Sequence, residues 1–236
     1  MSEIRVRALP GIGEITEGTS LVDVIVDALE RSGQNLIDGD VVVVTSKVVS
    51  KSEGRVVTFD GTDEAREQLI ESESRRILRR RGPLRITETH HGFVNANAGI
   101  DLSNTAEGTA VLLPRDPDRS ARRLRADLRR RLGVEVGVVI TDTFGRAWRH
   151  GVVDVALGAA GVVSILDLRG TRDGNGRLLE VTEVALVDEI AAAANLVLAK
   201  SARTPVAILS GLDESYFGEG SVARDVVRPP SGDLFR

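Results

Sequence analysis

Val134-Glu-Val-Gly-Val-Val-Ile-Thr-Asp-Thr-Phe-Gly-Arg-Ala-Trp-Arg-His150 is the stretch on which the fold reading turns. Its first half carries Val134, Val136, Val138, Val139 and Ile140, a β-branched run bounded by glycine that predicts a buried strand ending near Ile140. The second half delivers polar groups to the strand's end. Asp142 and Thr143 offer hard oxygen donors suited to Mg²⁺ or Mn²⁺, and Arg146 and Arg149 offer planar forks for phosphate or carboxylate oxygens. An ordinary strand-to-turn junction, with Asp142 capping the next element, fits the same residues. Trp148, the only tryptophan, is expected beneath this loop as its anchor, and Arg146 either faces the cleft or braces the loop against Asp154 or another local carboxylate.

A second apolar strand is predicted in Asp38-Gly-Asp-Val-Val-Val-Val-Thr-Ser46, and its polar end, Thr45 to Lys51, gathers hydroxyl and ammonium groups. Around these two strands the pattern alternates. Ile4 to Leu9 reads as a strand, and Ser20 to Arg31 as a helix capped by Ser20 with Leu21, Val22, Ile25, Val26 and Leu29 on one stripe. Gly54 to Phe59, Leu84 to Glu88, Gly108 to Leu113, Val162 to Leu168 and Pro205 to Leu209 read as further strands. Thr62 to Arg81 predicts one long amphipathic helix whose terminal arginines complement its dipole. The next helix carries Arg122, Arg123, Arg125, Arg129, Arg130 and Arg131 outward, with Leu124, Leu128 and Leu132 as the buried stripe. Thr182 to Lys200 predicts an Ala-rich helix with an interface face and with Asp188 and Glu189 in solvent.

Between Gly92 and Asn104 the chain is too small and polar for a core. Glycines there let backbone approach a ligand, and Asp101, Ser103 and Asn104 supply oxygens and an amide, or an Asx-turn.

With 236 residues the chain can bury an ample core, and with no cysteine it has neither disulfides nor thiolate metal sites. No charged segment followed by an apolar one opens the sequence, which predicts a cytoplasmic protein. A net charge of −4 gives no global pull toward nucleic acid, and one Trp with one Tyr is too few for base-stacking platforms. No P-loop, dinucleotide fingerprint or Gly-x-Ser-x-Gly occurs, and His90, His91 and His150 lack zinc spacing. What remains is a divalent-ion site from Asp101, Asp142 and Thr143 beside the Ser46–Lys51 loop, which suits phosphoryl transfer.

Four segments together carry a resemblance that spans nearly the whole chain: residues 38–55, Asn97-Ala-Gly-Ile-Asp-Leu-Ser-Asn104, Leu113-Pro-Arg-Asp-Pro-Asp118 and Ile140-Thr-Asp-Thr-Phe-Gly-Arg-Ala-Trp-Arg149. In this order they resemble the coenzyme F-420:L-glutamate ligase family, as do 182–194 and 231–235. The resemblance implies a mixed α/β (α+β) fold, a two-lobed monomer in an intertwined homodimer. It implies a GTP-dependent ligase that adds L-glutamate to the coenzyme F-420 precursor through an acyl phosphate, then adds further γ-linked glutamates and releases GDP and phosphate. Carried over by position, Asp101, Asp142 and Thr143 would ligate Mg²⁺ or Mn²⁺, with K⁺ as a further candidate ion. Ser46, Lys51, Asn104 and the segment Gly11, Ile12, Gly13, Glu14, Ile15 would hold GTP, although Gly13 stands where the family has proline. Lys200 stands where archaeal members place another metal contact, which a charged lysine cannot make. Residues 1–236 are expected to form one ligase module, in one or two lobes, without the flavin-binding, nitroreductase-like domain that follows it in many actinobacterial relatives. The expected partners are the precursor, L-glutamate, GTP and a second copy, with no nucleic acid and no membrane. A metal-dependent phosphohydrolase and a nucleic-acid binder using the arginine-rich helices are the competing readings.

Overall fold

The computed structural model describes residues 3–103, 108–198 and 204–234. Asn104 and Lys200 lie outside the described residues. The N-terminal half runs β1 (Arg5–Ala8), α1 (Leu21–Ser32), β2 (Val41–Thr45), α2 (Ser46–Ser52), β3 (Val56–Thr58), α3 (Asp63–Ser72), β4 (Ser74–Arg81), β5 (Leu84–Thr89) and β6 (Val94–Ala96). There follow β7 (Thr109–Val111), α4 (Pro117–Leu132), β8 (Gly137–Arg146), β9 (Arg149–Ala160), β10 (Leu166–Asp167), β11 (Glu183–Val184), α5 (Leu186–Asn195) and β12 (Val206–Ser210).

The fold is mixed α/β, built on a five-stranded sheet in the order β1-β12-β2-β8-β9. Only β2 and β8 run parallel; the other pairs are antiparallel. Strand periodicity explains why four consecutive valines suit β2. Val41 and Val43 join Leu186, Val187, Ile190 and Ala191 of α5 on one face, while Val42 and Val44 join Ile25 and Leu29 of α1 and Leu124 and Leu128 of α4 on the other. Each valine is fully buried and contributes roughly 1.5–3 kcal/mol of apolar transfer. The predicted cap holds: the Ser20 hydroxyl accepts the Asp23 N–H, and Gly33 closes α1 in the left-handed conformation.

Asp116 caps α4, and the helix's first turn carries a buried carboxylate, Asp118. Its Oδ1 accepts N–H groups of Ala159 (2.9 Å) and Val222 (3.0 Å); its Oδ2 accepts the Ser221 hydroxyl (2.7 Å) and the Ala223 N–H (3.1 Å). One side chain therefore ties α4, β9 and the segment 221–223 together. Gly158 permits this approach, because a Cβ there would stand 2.3 Å from the Pro117 carbonyl carbon.

Several sequence expectations need correction. The helix expected over 62–81 stops at Ser72, and the arginine cluster forms β4 of a three-stranded sheet, β4-β5-β6. The reasons are non-local. Gly82, at φ 53, turns the hairpin; Arg76 meets Glu88 at 2.6 Å; Arg80 and Arg85 both reach Glu67 from β4 and β5. Ser46–Ser52 is a helix, not the polar end of a strand. Residues 141–146 extend β8, where a loop was expected, and the small residues from Asp154 onward belong to its antiparallel partner β9. Within 162–168 only Leu166–Asp167 are strand, and within 182–198 only Leu186–Asn195 are α-helix, the expected end at Lys200 lying outside the described residues. Leu132 is exposed, unlike Leu124 and Leu128. Asp188 is half-buried, not solvated, and its Oδ1 accepts the Ala156 N–H at 2.9 Å; burial raises its pKa, opposed by that bond.

Candidate active site

The parallel pair β2–β8 builds the site's floor. Thr45 pairs with Thr141, so both chains reach the same sheet edge together. There β2 turns directly into α2, while β8 continues through Asp142 and Thr143. Ser46 opens α2 and is buried, and Lys51 lies one helical turn further on, largely buried. Lys51 forms an ion pair with Glu14, and Ser52 accepts the Gly18 N–H at 2.9 Å, which draws the Gly11–Ile15 segment against α2. That segment is fixed from behind by Arg31, which donates to the Gly11 carbonyl at 3.0 Å, and by the buried Ile15.

Asp101 arrives from the loop after β6 and is anchored by backbone bonds in both directions with Val111. Its Oδ1 accepts the Ser103 N–H (2.7 Å) and hydroxyl (2.6 Å); its Oδ2 takes the Lys47 ammonium at 3.1 Å. Lys47 also donates to the Ser103 carbonyl. Partial burial pushes the Asp101 carboxyl up, but the Ser103 hydrogen bonds and the Lys47 charge outweigh it and hold the group below the usual carboxylate range. The side chain is ionised at neutral pH.

Asp142 is half-buried and its Oδ1 accepts the following Thr143 N–H at 2.9 Å. Thr143 gives its hydroxyl proton to Asp154 Oδ1 at 2.7 Å, a cross-strand contact that Thr141 shares at 3.4 Å to Oδ2. With its proton committed to Asp154, the Thr143 oxygen keeps its lone pairs for another partner. An ionised carboxylate, a second carboxylate and an oriented hydroxyl are hard donors that fit Mg²⁺ or Mn²⁺. Among the described residues no three acidic or histidine side chains gather as a metal cluster, so protein groups would supply part of an octahedral shell, and water or phosphate oxygens the rest.

The arginines are placed differently from the expectation. Arg146 lies four residues beyond Asp142, about 13 Å along a strand. It donates to the His150 carbonyl at 2.9 Å, so it braces its own hairpin through a backbone oxygen and not through Asp154. Arg149 is exposed beside it. Trp148 is not an anchor: it stands 86% exposed at the hairpin tip with φ 58. The aromatic packing behind Asp142 comes instead from Phe144, edge-on to Phe93 at 6.2 Å, with His91 stacked on Phe93 at 5.4 Å. His91 is a hydrogen-bonded turn residue, within 3.1 Å of the Pro114 and Arg115 carbonyls.

The structure thus brings Gly11–Ile15, Ser46, Lys51 and Asp101 around α2, and puts Asp142 and Thr143 on the strand adjoining it. Sequence reasoning missed Lys47 and named Asp154 only as a partner for Arg146, whereas it accepts from Thr143. Lys47 sat inside a quoted motif but carried no local signal, because its partner is 54 positions away. A separate hollow of about 500 Å³ beside α4, lined by Arg122, Arg125, Arg129 and Gly220 among others, shares no residue with this cluster.

The F420-0:gamma-glutamyl ligase family model matches residues 11–211. Coenzyme F420:L-glutamate ligase of Methanothermobacter thermautotrophicus is 38% identical, with 100% of this chain and 99% of that protein covered. The protein of the same name from Methanopyrus kandleri is 41% identical over 99% of this chain and 98% of its own length, and that of Archaeoglobus fulgidus 38% identical over 99% and 97%.

Proposed function

The chain belongs to the F420-0:gamma-glutamyl ligase family, and from that premise we propose that it is a GTP-dependent ligase joining L-glutamate to the coenzyme F420 precursor. The observation that carries this reading is the meeting of the Gly11–Ile15 segment, α2 and Asp101 beside the strand bearing Asp142 and Thr143. A carboxylate is a poor electrophile. Its oxygen attacks the γ-phosphorus of GTP, the bond to the β-phosphate oxygen breaks, and an acyl phosphate and GDP result. The glutamate amine then attacks the acyl carbon, phosphate leaves with the oxygen that bridged it, and the amine loses a proton. Repetition on the new γ-carboxylate lengthens the tail.

In this reading Ser46, Lys51 and the backbone of Gly11–Ile15 hold the nucleotide. Asp101, Asp142 and Thr143 hold a divalent ion, Mg²⁺ or Mn²⁺, which when bound neutralises charge building on the leaving diphosphate. Asp154 takes the Thr143 hydroxyl proton, which leaves the oxygen's lone pairs for the ion. Arg146 and Arg149 are candidates for the acidic far end of the precursor or its growing tail, a role that suits the exposed end of a hairpin. As a soluble enzyme it would act in the cytoplasm, and no helix among the described residues is long and apolar enough to cross a membrane. The family resemblance supports a homodimer.

GDP release in the presence of GTP, Mg²⁺ and precursor should depend on glutamate. Release at the same rate without glutamate would favour a phosphohydrolase. Lys51→Ala should raise KM for GTP by about tenfold or more with kcat little changed, since a point charge on a phosphate acts in ground and transition states alike. An unchanged KM would leave Lys51 as the partner of Glu14 alone. Arg146→Lys should raise KM for an acidic substrate by roughly tenfold, because an ammonium cannot reproduce the two-pronged contact. Normal constants for glutamate, precursor and GTP, with an unchanged melting temperature, would confine Arg146 to its bond with His150.

A further inference from the structure

We infer that Lys47 is a place-holding cation in the divalent-ion site, a positioning residue that competes with the metal for Asp101. The inference rests on the assignment of Asp101 as a metal ligand. Among the described residues, Ser103 and Lys47 hold the Asp101 carboxylate. Oδ1 takes both the N–H and the hydroxyl of Ser103, each within 2.7 Å, so that oxygen is already engaged twice. Oδ2 is engaged by the Lys47 ammonium at 3.1 Å, and the same ammonium is fixed by the Ser103 carbonyl. Lys47 is held in place from below as part of α2, which begins where β2 ends, and its side chain is only 23% exposed. The oxygen left for an incoming ion is therefore the one that Lys47 occupies.

A divalent ion and an ammonium cannot share one carboxylate oxygen at bonding distance without strong mutual repulsion. Metal entry must move Lys47 off Oδ2. The lysine has four rotatable bonds and a second anchor at the Ser103 carbonyl, so the displacement needs no backbone change. It has two consequences. Without metal, Asp101 remains ionised and fixed in direction by Ser103 and Lys47, so the site is preformed. With metal, an ammonium is released beside the nucleotide-binding helix, where phosphate charge can receive it; metal and nucleotide then bind more tightly together than either does alone.

An opposite charge at this range alters a carboxylate's affinity for a cation by roughly ten- to a thousandfold. Exposure of Asp101 places the effect at the low end. Mn²⁺ binding to the nucleotide-free protein, read from loss of the free-ion paramagnetic resonance signal, tests the proposal without catalysis. Lys47→Met, which keeps the stem and drops the charge, should bind Mn²⁺ about tenfold more tightly than the natural protein. Lys47→Arg should bind it no more tightly than the natural protein, and adding a non-hydrolysable GTP analogue should tighten Mn²⁺ binding less in Lys47→Met than in the natural protein. Lys47→Gln serves where the methionine variant melts early. Unchanged or weaker Mn²⁺ binding in the folded Lys47→Met or Lys47→Gln protein overturns the inference. Asp101→Asn separates the two layers of the account: if it abolishes Mn²⁺ binding while Lys47→Met leaves it unchanged, only the role of Lys47 fails, whereas Mn²⁺ binding untouched by Asp101→Asn removes the metal assignment as well.

Discussion

Asp142→Asn should reduce ligation by about 10²–10³-fold or more while leaving the fold intact. The substitution keeps an oxygen that can accept the Thr143 N–H, now made at 2.9 Å, so the local backbone keeps its bond. It removes the negative charge at the end of the parallel pair, where the metal reading needs it. Because Asp142 is half-buried and nearly isosteric with asparagine, no cavity forms. Asp101→Asn should behave alike, with the added loss of the Lys47 ion pair. Steady-state rates in saturating Mn²⁺, beside thermal melts of each variant, check the expectation. Activity within a few-fold of the natural protein would remove both carboxylates from the metal site.

The second large effect concerns stability. Asp118→Ala should destabilise the protein by about 3–5 kcal/mol, because three backbone N–H groups and one hydroxyl lose their acceptor in a buried place. Each stranded donor costs about 1–3 kcal/mol unless water enters, and these four come from β9 and from the segment 221–223. Asp118→Asn should be milder but still costly, since its amide turns a donor toward groups that are donors themselves. Urea unfolding midpoints would measure the loss. A change below about 1 kcal/mol for the alanine variant would mean that the clamp contributes little and that the segment is held by its apolar contacts.

Asp118 also shows how far local sequence reaches. The motif Leu113–Asp118 stood out as part of a family resemblance, yet nothing in its spacing predicts a partner at Val222, 104 positions on. What local pattern could reveal was revealed: the valine run of β2, the Ser20 cap, and the apolar half of β8 all stand as read. These depend on burial periodicity and on groups within one turn. The run Arg75-Arg-Ile-Leu-Arg-Arg-Arg81 has a basic pair, an apolar pair and a basic triplet, which fit neither a period of two nor of 3.6 cleanly. The Gly82 turn, pairing with β5, and the carboxylates Glu88 and Glu67 brought in by the hairpin and by α3 decide it as a strand. Trp148 misled for the opposite reason: its size argues for burial, but the hairpin tip carries it out into solvent.

Oxygen chemistry named Asp101, Asp142 and Thr143 as candidate donors, because hard donors beside apolar strands and small-residue loops are visible in one dimension. Their supporting groups were not. Lys47 and Asp154 act through contacts across the sheet edge and between strands, and each could equally have been a solvated charge.

In the proposed reaction a carboxylate of the precursor is activated by phosphorylation before glutamate attacks it. The direct test is to supply the precursor with its terminal carboxylate labelled in heavy oxygen, together with GTP, Mg²⁺ and L-glutamate, and to analyse the phosphate released by mass spectrometry. The phosphate formed with the first amide bond should carry one labelled oxygen taken from that carboxylate, and phosphate from later additions, which activate an unlabelled γ-carboxylate, none. Formation of the first amide accompanied by wholly unlabelled phosphate would contradict activation by phosphorylation.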